Sequence, residues 1–188
     1  NVRVHCLDRA CGKLRSGAVP SCADVCSAAR LLCFDLDTHL SVRGEAQLAD
    51  VKEQLRSSGF IQKASPELLV FSPLCRAVRT KEVLFGDEVP GKSLPELVER
   101  TPYEAMCPAG FDQRVQGFKD WLAKTAETRI VVVGHCQFFS RLLGKGAGLD
   151  RYLSNVEVKR CFFDPATGAF DIPVSMFLPR EDSSADEA

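Results

Sequence analysis

Apolar and polar positions along this chain follow two periods. Over residues 44–55, Leu48, Val51 and Leu55 fall at helical spacing, and Gly59 follows as a stop signal; the pattern predicts an amphipathic helix. Residues 68–71, Leu-Leu-Val-Phe, form a compact apolar run after Pro66 and read as a strand. Ser72-Pro73 then matches a helix start, with serine as the cap and proline in the first position. That helix should run to about Leu84 and end at Gly86. Over residues 111–126, Phe111, Val115, Phe118, Trp121 and Leu122 share one helical face. Residues 130–133, Ile-Val-Val-Val, are β-branched throughout and predict a strand in a sheet covered on both faces. Gly134-His135 ends it, and residues 137–143 begin another helix.

Weaker patterns fill the rest. Residues 1–6 alternate enough for a short first strand, residues 8–26 read as a loop, and residues 28–34 are an apolar run of either type. Residues 87–108 hold Pro90, Pro95, Pro102 and Pro108 and read as a long connection. Residues 155–163 resemble an edge or late strand, and the acidic tail from about residue 180 should fray. Strands alternating with helices predict an α/β fold, a three-layer sandwich with a mostly parallel sheet. In such folds ligands bind beyond the carboxyl ends of the strands. Arg76 and His135 both follow predicted strands and so belong to that rim.

Composition adds limits. The 188 residues suit a single domain over residues 1–188 with a full core. The balance of 24 Lys and Arg against 25 Asp and Glu supplies no overall field for nucleic acid or anionic lipid. No apolar stretch reaches membrane-spanning length. The first residues carry no signal-peptide pattern, so the expected location is cytoplasmic. The nine cysteines include no Cys-x-x-Cys pair; Cys22 and Cys26 come nearest, and Cys6 and Cys11 lie five apart. That spacing argues against structural zinc. Cys33, Cys75, Cys136 and Cys161 lie in or beside apolar runs and read as small buried hydrophobes in a reducing compartment.

Two segments carry a family resemblance. Ser72-Pro-Leu-Cys-Arg-Ala-Val-Arg-Thr80 resembles the Ser-Pro-Leu-x-Arg-Ala-x-x-Thr motif of histidine phosphatases, the phosphoglycerate-mutase-like superfamily. Val131-Val-Val-Gly-His135 resembles that family's strand and second histidine. Leu40-Ser-Val-Arg-Gly44, followed by Gln47, looks like its Leu-Thr-x-x-Gly-x-x-Gln segment with Ser41 for threonine, and Gly44 also suits a helix start. The resemblance runs from Asp35 to about Val158. It implies a phosphoglycerate-mutase-like fold and a phosphate pocket of two histidines, two arginines and a carboxyl acid. Arg76 matches the arginine of the first motif and His135 the second histidine. Leu97-Val-Glu-Arg-Thr-Pro-Tyr103 looks like the family's Leu-x-Glu-Arg segment and makes Glu99 the general acid, with Glu88, Glu96 and Glu104 as competitors. His5 is the best match to the nucleophilic histidine. Its neighbours are Val4 and Cys6, where the family carries arginine and glycine; Arg3 is one residue from position 4 and would point to the strand face opposite to it, which leaves Arg9 as the second phosphate-binding arginine. His39 is the third histidine, and Arg79 reads as a surface residue.

Those residue types suit phosphoryl chemistry. Neutral imidazole attacks phosphorus and leaves again from a phosphohistidine. A guanidinium presents a planar fork of donors to phosphoryl oxygens. A second histidine stabilises developing charge, and a carboxylic acid protonates the leaving oxygen and then activates water. The resemblance thus implies a metal-independent phosphomonoester hydrolase needing no cofactor, acting on a small phosphorylated substrate or a phosphoprotein, with a mutase as one alternative. A catalytically diverged member that binds a phosphorylated ligand or a protein partner is another. A rival motif is Leu32-Cys-Phe-Asp-Leu-Asp-Thr38, similar to the Asp-x-Asp loop of haloacid-dehalogenase-like phosphatases, which require magnesium. Thr38 stands one residue beyond Asp37, where that family expects its threonine two beyond.

Overall fold

The computed structural model describes residues 37–144 and 153–180. The chain divides into two compact units. The larger holds Asp37–Glu99 and the described part of Val115–Ala188; the smaller is described over Arg100–Arg114.

The larger unit begins with α1 (Val42–Ser58). Ser41 caps it, its Oγ accepting the Gly44 N–H at 3.1 Å. Gly59 ends it at φ 64°, a left-handed conformation that glycine adopts without steric cost. Leu48, Val51 and Leu55 are all buried, on the face the sequence predicts. A short α2 (Phe60–Ala64) leads to β1 (Leu68–Phe71), α3 (Cys75–Phe85), β2 (Gly91–Ser93) and a 3₁₀ turn over Pro95–Leu97. After α4 (Pro102–Met106) and α5 (Pro108–Lys124) come β3 (Ile130–Val133) and α6 (Cys136–Leu143).

β2, β1 and β3 form a wholly parallel sheet with β1 in the centre. Its register aligns Phe71 with both Ser93 and Val133, so all three strands stop at one edge. Beyond it the ladder continues for one bond on each side: the Ser72 N–H donates to the Val133 carbonyl at 3.0 Å, and the Leu94 N–H to the Phe71 carbonyl at 2.9 Å. α3 packs on β1 and β3, and α1 packs on α3. Their buried faces meet in a core of Val51, Leu55, Leu69, Ala77, Phe85, Val89 and Val133. A second group is aromatic. Phe118 of α5 and Phe138 of α6 are fully buried and meet edge to face at 5.6 Å, while Trp121 stacks on Phe118 at 5.7 Å.

Several elements differ from expectation. α3 begins at Cys75, with Leu74 in the cap position and no side-chain cap bond of its own, rather than at Pro73. The long connection contains β2, whose Gly-Lys-Ser sequence has no strand preference and joins the sheet through its backbone. It also contains α4. Residues 130–132 are half-buried rather than covered on both faces, since β3 is an outer strand of the described sheet. The single late strand expected over residues 155–163 divides: β4 (Val158–Arg160) pairs antiparallel with β7 (Val174–Phe177), and β5 (Phe163–Asp164) with β6 (Ala169–Phe170). Among the described residues no helix is long and apolar enough to cross a membrane.

In the smaller unit, Thr101 caps α4 in a full capping box. Thr101 Oγ1 accepts the Glu104 N–H, and Glu104 Oε2 accepts the Thr101 N–H at 2.8 Å. Arg114 closes on the same carboxylate with two bonds of 2.9 and 2.8 Å. The Arg100 and Arg114 guanidinium groups lie 5.7 and 5.0 Å from the Phe111 ring.

Candidate functional site

The common edge of the three strands delivers the site. Ser72 leaves β1, His135 follows β3 by two residues, and the chain beyond β2 turns through Pro95–Leu97 to reach Glu99. Arg76 lies in the first turn of α3. The parallel register therefore brings three separate segments to one place.

Glu99 Oε2 stands 3.9 Å from His135 Nδ1 and 4.0 Å from Arg76 Nη2. Both distances exceed a hydrogen bond but lie within the range at which a carboxylate attracts a guanidinium. The His135 side chain is 4% exposed, Glu99 19% and Arg76 23%. The other ring nitrogen of His135, Nε2, lies 2.9 Å from Ser72 Oγ, and Ser72 is fully buried. A fork of donors, an imidazole and a carboxyl group thus share one rim, an arrangement able to hold an anionic oxygen and move a proton beside it.

The backbone fits this use. Gly134 gives the chain its close passage: a Cβ there would lie 3.1 Å from the Phe139 ring. His135 takes an extended conformation as the cap residue of α6, and its carbonyl accepts the Phe139 N–H at 3.0 Å.

Arg76, Glu99 and His135 come together. His5 and Arg9 lie outside the described residues, as do Asp35, Cys6, Cys11, Cys22, Cys26 and Cys33. Glu104 belongs to the Thr101–Arg114 network instead, and Glu88 and His39 are exposed. Arg79 pairs on the surface with Glu45 at 3.1 Å. Gln47 lies on α1, its side-chain carbonyl oxygen buried without a hydrogen-bond partner among the described residues. Asp37, from the rival Asp-x-Asp motif, accepts the Cys75 N–H and so serves the start of α3, where Leu74 has no side-chain oxygen to offer. The Cys75 hydrogen bonds hold its carboxyl below the usual range, with Arg76 and His39 adding to the effect.

Cys75, Cys136 and Cys161 are half-buried free thiols rather than buried ones. The bond with Asp37 raises Cys75 above its ordinary value; burial, then the Glu99 charge, raises Cys136. Both stay protonated thiols beside the site, poorly suited as nucleophiles. Among the described residues no group of three or more His, Cys, Asp or Glu could hold a metal ion.

Ser72 is not the cap residue of α3, although its Oγ accepts the Leu74 N–H at 3.3 Å; it also meets His135. The motif containing it was visible; its bond to a histidine 63 positions away was not.

No protein-family model matches the chain, and no curated protein matches it. A solved structure does: that of a candidate alpha-ribazole-5′-P phosphatase from Escherichia coli K-12, with 18% sequence identity, covering 81% of this chain and 90% of that chain at a TM-score of 0.54. At that identity the likeness is one of fold, and it shows a mixed α/β architecture on a parallel core sheet.

Proposed function

We propose that this protein is a phosphomonoester hydrolase of the histidine-phosphatase kind, a three-layer α/β domain working through a phosphohistidine and needing no metal. The observation that carries the reading is the meeting of Arg76, Glu99 and His135 at the carboxyl edge of the parallel sheet. In this reading Arg76 and His135 hold the phosphoryl oxygens and Glu99 is the proton carrier. The sequence resemblance supplies the nucleophile, His5, and the second arginine, Arg9. An imidazole nitrogen of His5 forms a bond to phosphorus as the P–O bond to the leaving group breaks, and Glu99 gives that oxygen its proton. Water then attacks the phosphohistidine, Glu99 takes up the water's proton, and inorganic phosphate leaves with His5 restored. The substrate is a small phosphorylated molecule or a phosphoprotein.

The test is brief mixing with a generic aryl phosphate without added metal, followed by intact mass, acid-labile phosphate and steady-state rates. Wild type should gain one phosphoryl group, and His5→Ala should not. Arg76→Ala and His135→Ala should each lose about 10²–10³-fold in turnover while their unfolding curves stay cooperative. Turnover at wild-type rates in either variant would sink the assignment.

The Val4-His5-Cys6 flank favours a second reading: a phosphate-binding relative that has lost turnover. It gains if no adduct forms although phosphate binds.

A further inference from the structure

We infer that Ser72 is a positioning residue that fixes His135 in the tautomer protonated on Nδ1, so that a ring N–H, not a lone pair, faces Glu99.

Hydrogen-bond supply at the buried hydroxyl decides the tautomer. A serine hydroxyl has one proton to give and two lone pairs to receive with. Ser72 is fully buried, so water cannot complete its bonding. Among the described residues its Oγ has two partners: the Leu74 N–H at 3.3 Å and His135 Nε2 at 2.9 Å. The first is a donor, so it occupies a lone pair. The hydroxyl proton then has one acceptor within reach among these residues, Nε2. Were Nε2 protonated, it too would donate to Oγ, and the buried O–H would be left without an acceptor, an arrangement that folded proteins avoid. Ser72 therefore donates to Nε2, and the neutral ring carries its proton on Nδ1.

The other edge of the ring agrees. Nδ1 stands 3.9 Å from Glu99 Oε2. An N–H toward a carboxylate is attractive, and a lone pair toward it is repulsive. With Glu99 ionised, this edge favours the tautomer that the Ser72 hydroxyl selects. Ser72 is held in turn by the sheet, its N–H donating to the Val133 carbonyl two residues before His135. Donor and acceptor are therefore locked to adjacent strand ends.

The kinetic part of this inference rests on the phosphatase reading, in which the Nδ1–H is the donor offered to a phosphoryl oxygen; the tautomer itself does not. The experiment is long-range ¹⁵N–¹H correlation on histidine-labelled protein with the rings neutral. The chain has three histidines, so His5→Gln and His39→Gln variants assign the signals. Wild type should show a pyrrole-type Nδ1 and a pyridine-type Nε2 at His135. Ser72→Ala should shift the ring toward the Nε2–H form, and Ser72→Thr, which keeps the hydroxyl, should retain the wild-type pattern. In parallel, kcat should fall about 10–100-fold in Ser72→Ala with little change in KM, and Ser72→Thr should recover most of it. An Nε2–H ring in wild type overturns the inference, even if Ser72→Ala fails to fold. So does an unchanged tautomer or an unchanged kcat in Ser72→Ala. If wild type turns over no phosphate ester, the proposed activity fails and the tautomer still decides the role of Ser72.

Discussion

A Cβ on Gly134 would stand 3.1 and 3.4 Å from two atoms of the Phe139 ring. Gly134→Ala therefore forces one of two movements. The ring can swing away, loosening α6, or the backbone before His135 can retreat, pulling that ring from Ser72. Overpacking of this kind costs about 1–3 kcal/mol. Thermal unfolding should show the loss, and turnover should fall further than the unfolded fraction explains. The cost should shrink in a Phe139→Ala background, and a double-mutant cycle reads that coupling directly. If the two substitutions add independently, the clash is not the cause. The same region shows what was legible one residue at a time. Arg76 and His135 were visible because each follows a strand and stands inside a recognisable motif. Ser72 carries an equally clear cap signature with Pro73, yet it answers to His135 across the sheet. The local bond from the Leu74 N–H is kept, but the buried partner 63 positions away lies in no sequence window.

At the scale of elements, helices and strands with strong periodicity stand where the sequence puts them: α1 with Leu48, Val51 and Leu55 inside, and β1 and β3 as apolar runs. Elements held by backbone or by distant chain were not readable. β2 is Gly-Lys-Ser and exists because β1 offers it a ladder. β5 and β6 are two residues each. α4 did announce itself, since Thr101-Pro-Tyr-Glu104 has capping-box spacing, but four prolines hid it within a stretch read as a connection. Its network gives a test with a definite sign. Burial pushes the Glu104 carboxyl up, and the hydrogen bonds from Arg114 and the Thr101 N–H outweigh that, leaving it below its ordinary value. A carboxyl that binds its proton less tightly when folded stabilises the fold above the unfolded value of about 4.3. That contribution is lost as the pH falls through the lower folded value. Glu104→Gln should therefore cost about 1–3 kcal/mol at neutral pH. The difference from wild type in denaturant unfolding should narrow as the pH is taken below about 4. A gap that stays constant with pH would mean that packing, and not the carboxylate, holds α4.

Across the whole molecule, fold class was readable from the alternation of strand and helix, and the likeness to the phosphatase structure agrees with it. The candidate site was readable as residue types but not as geometry. Only the register of β2, β1 and β3 shows that Ser93, Phe71 and Val133 end in line, and hence that residues from 72, 94 and 134 onward share a rim. If that rim holds phosphate, the fold should feel it. A ligand bound to the folded state alone at a hundred times its Kd adds about 2.7 kcal/mol, which for a chain of this size raises Tm by roughly 5–10 °C. Inorganic phosphate, compared with chloride at equal ionic strength, should produce such a shift in wild type and lose most of it in Arg76→Ala. The guanidinium gives the anion its directed donors, whereas exclusion of a kosmotropic anion from the general surface does not depend on Arg76. Equal shifts in both proteins would assign the effect to exclusion and remove Arg76 from the pocket. A shift in wild type that persists in His5→Ala would show that the rim binds phosphate without the candidate nucleophile. Binding and turnover would then be separable, and the intact-mass experiment would decide whether this chain still performs the second.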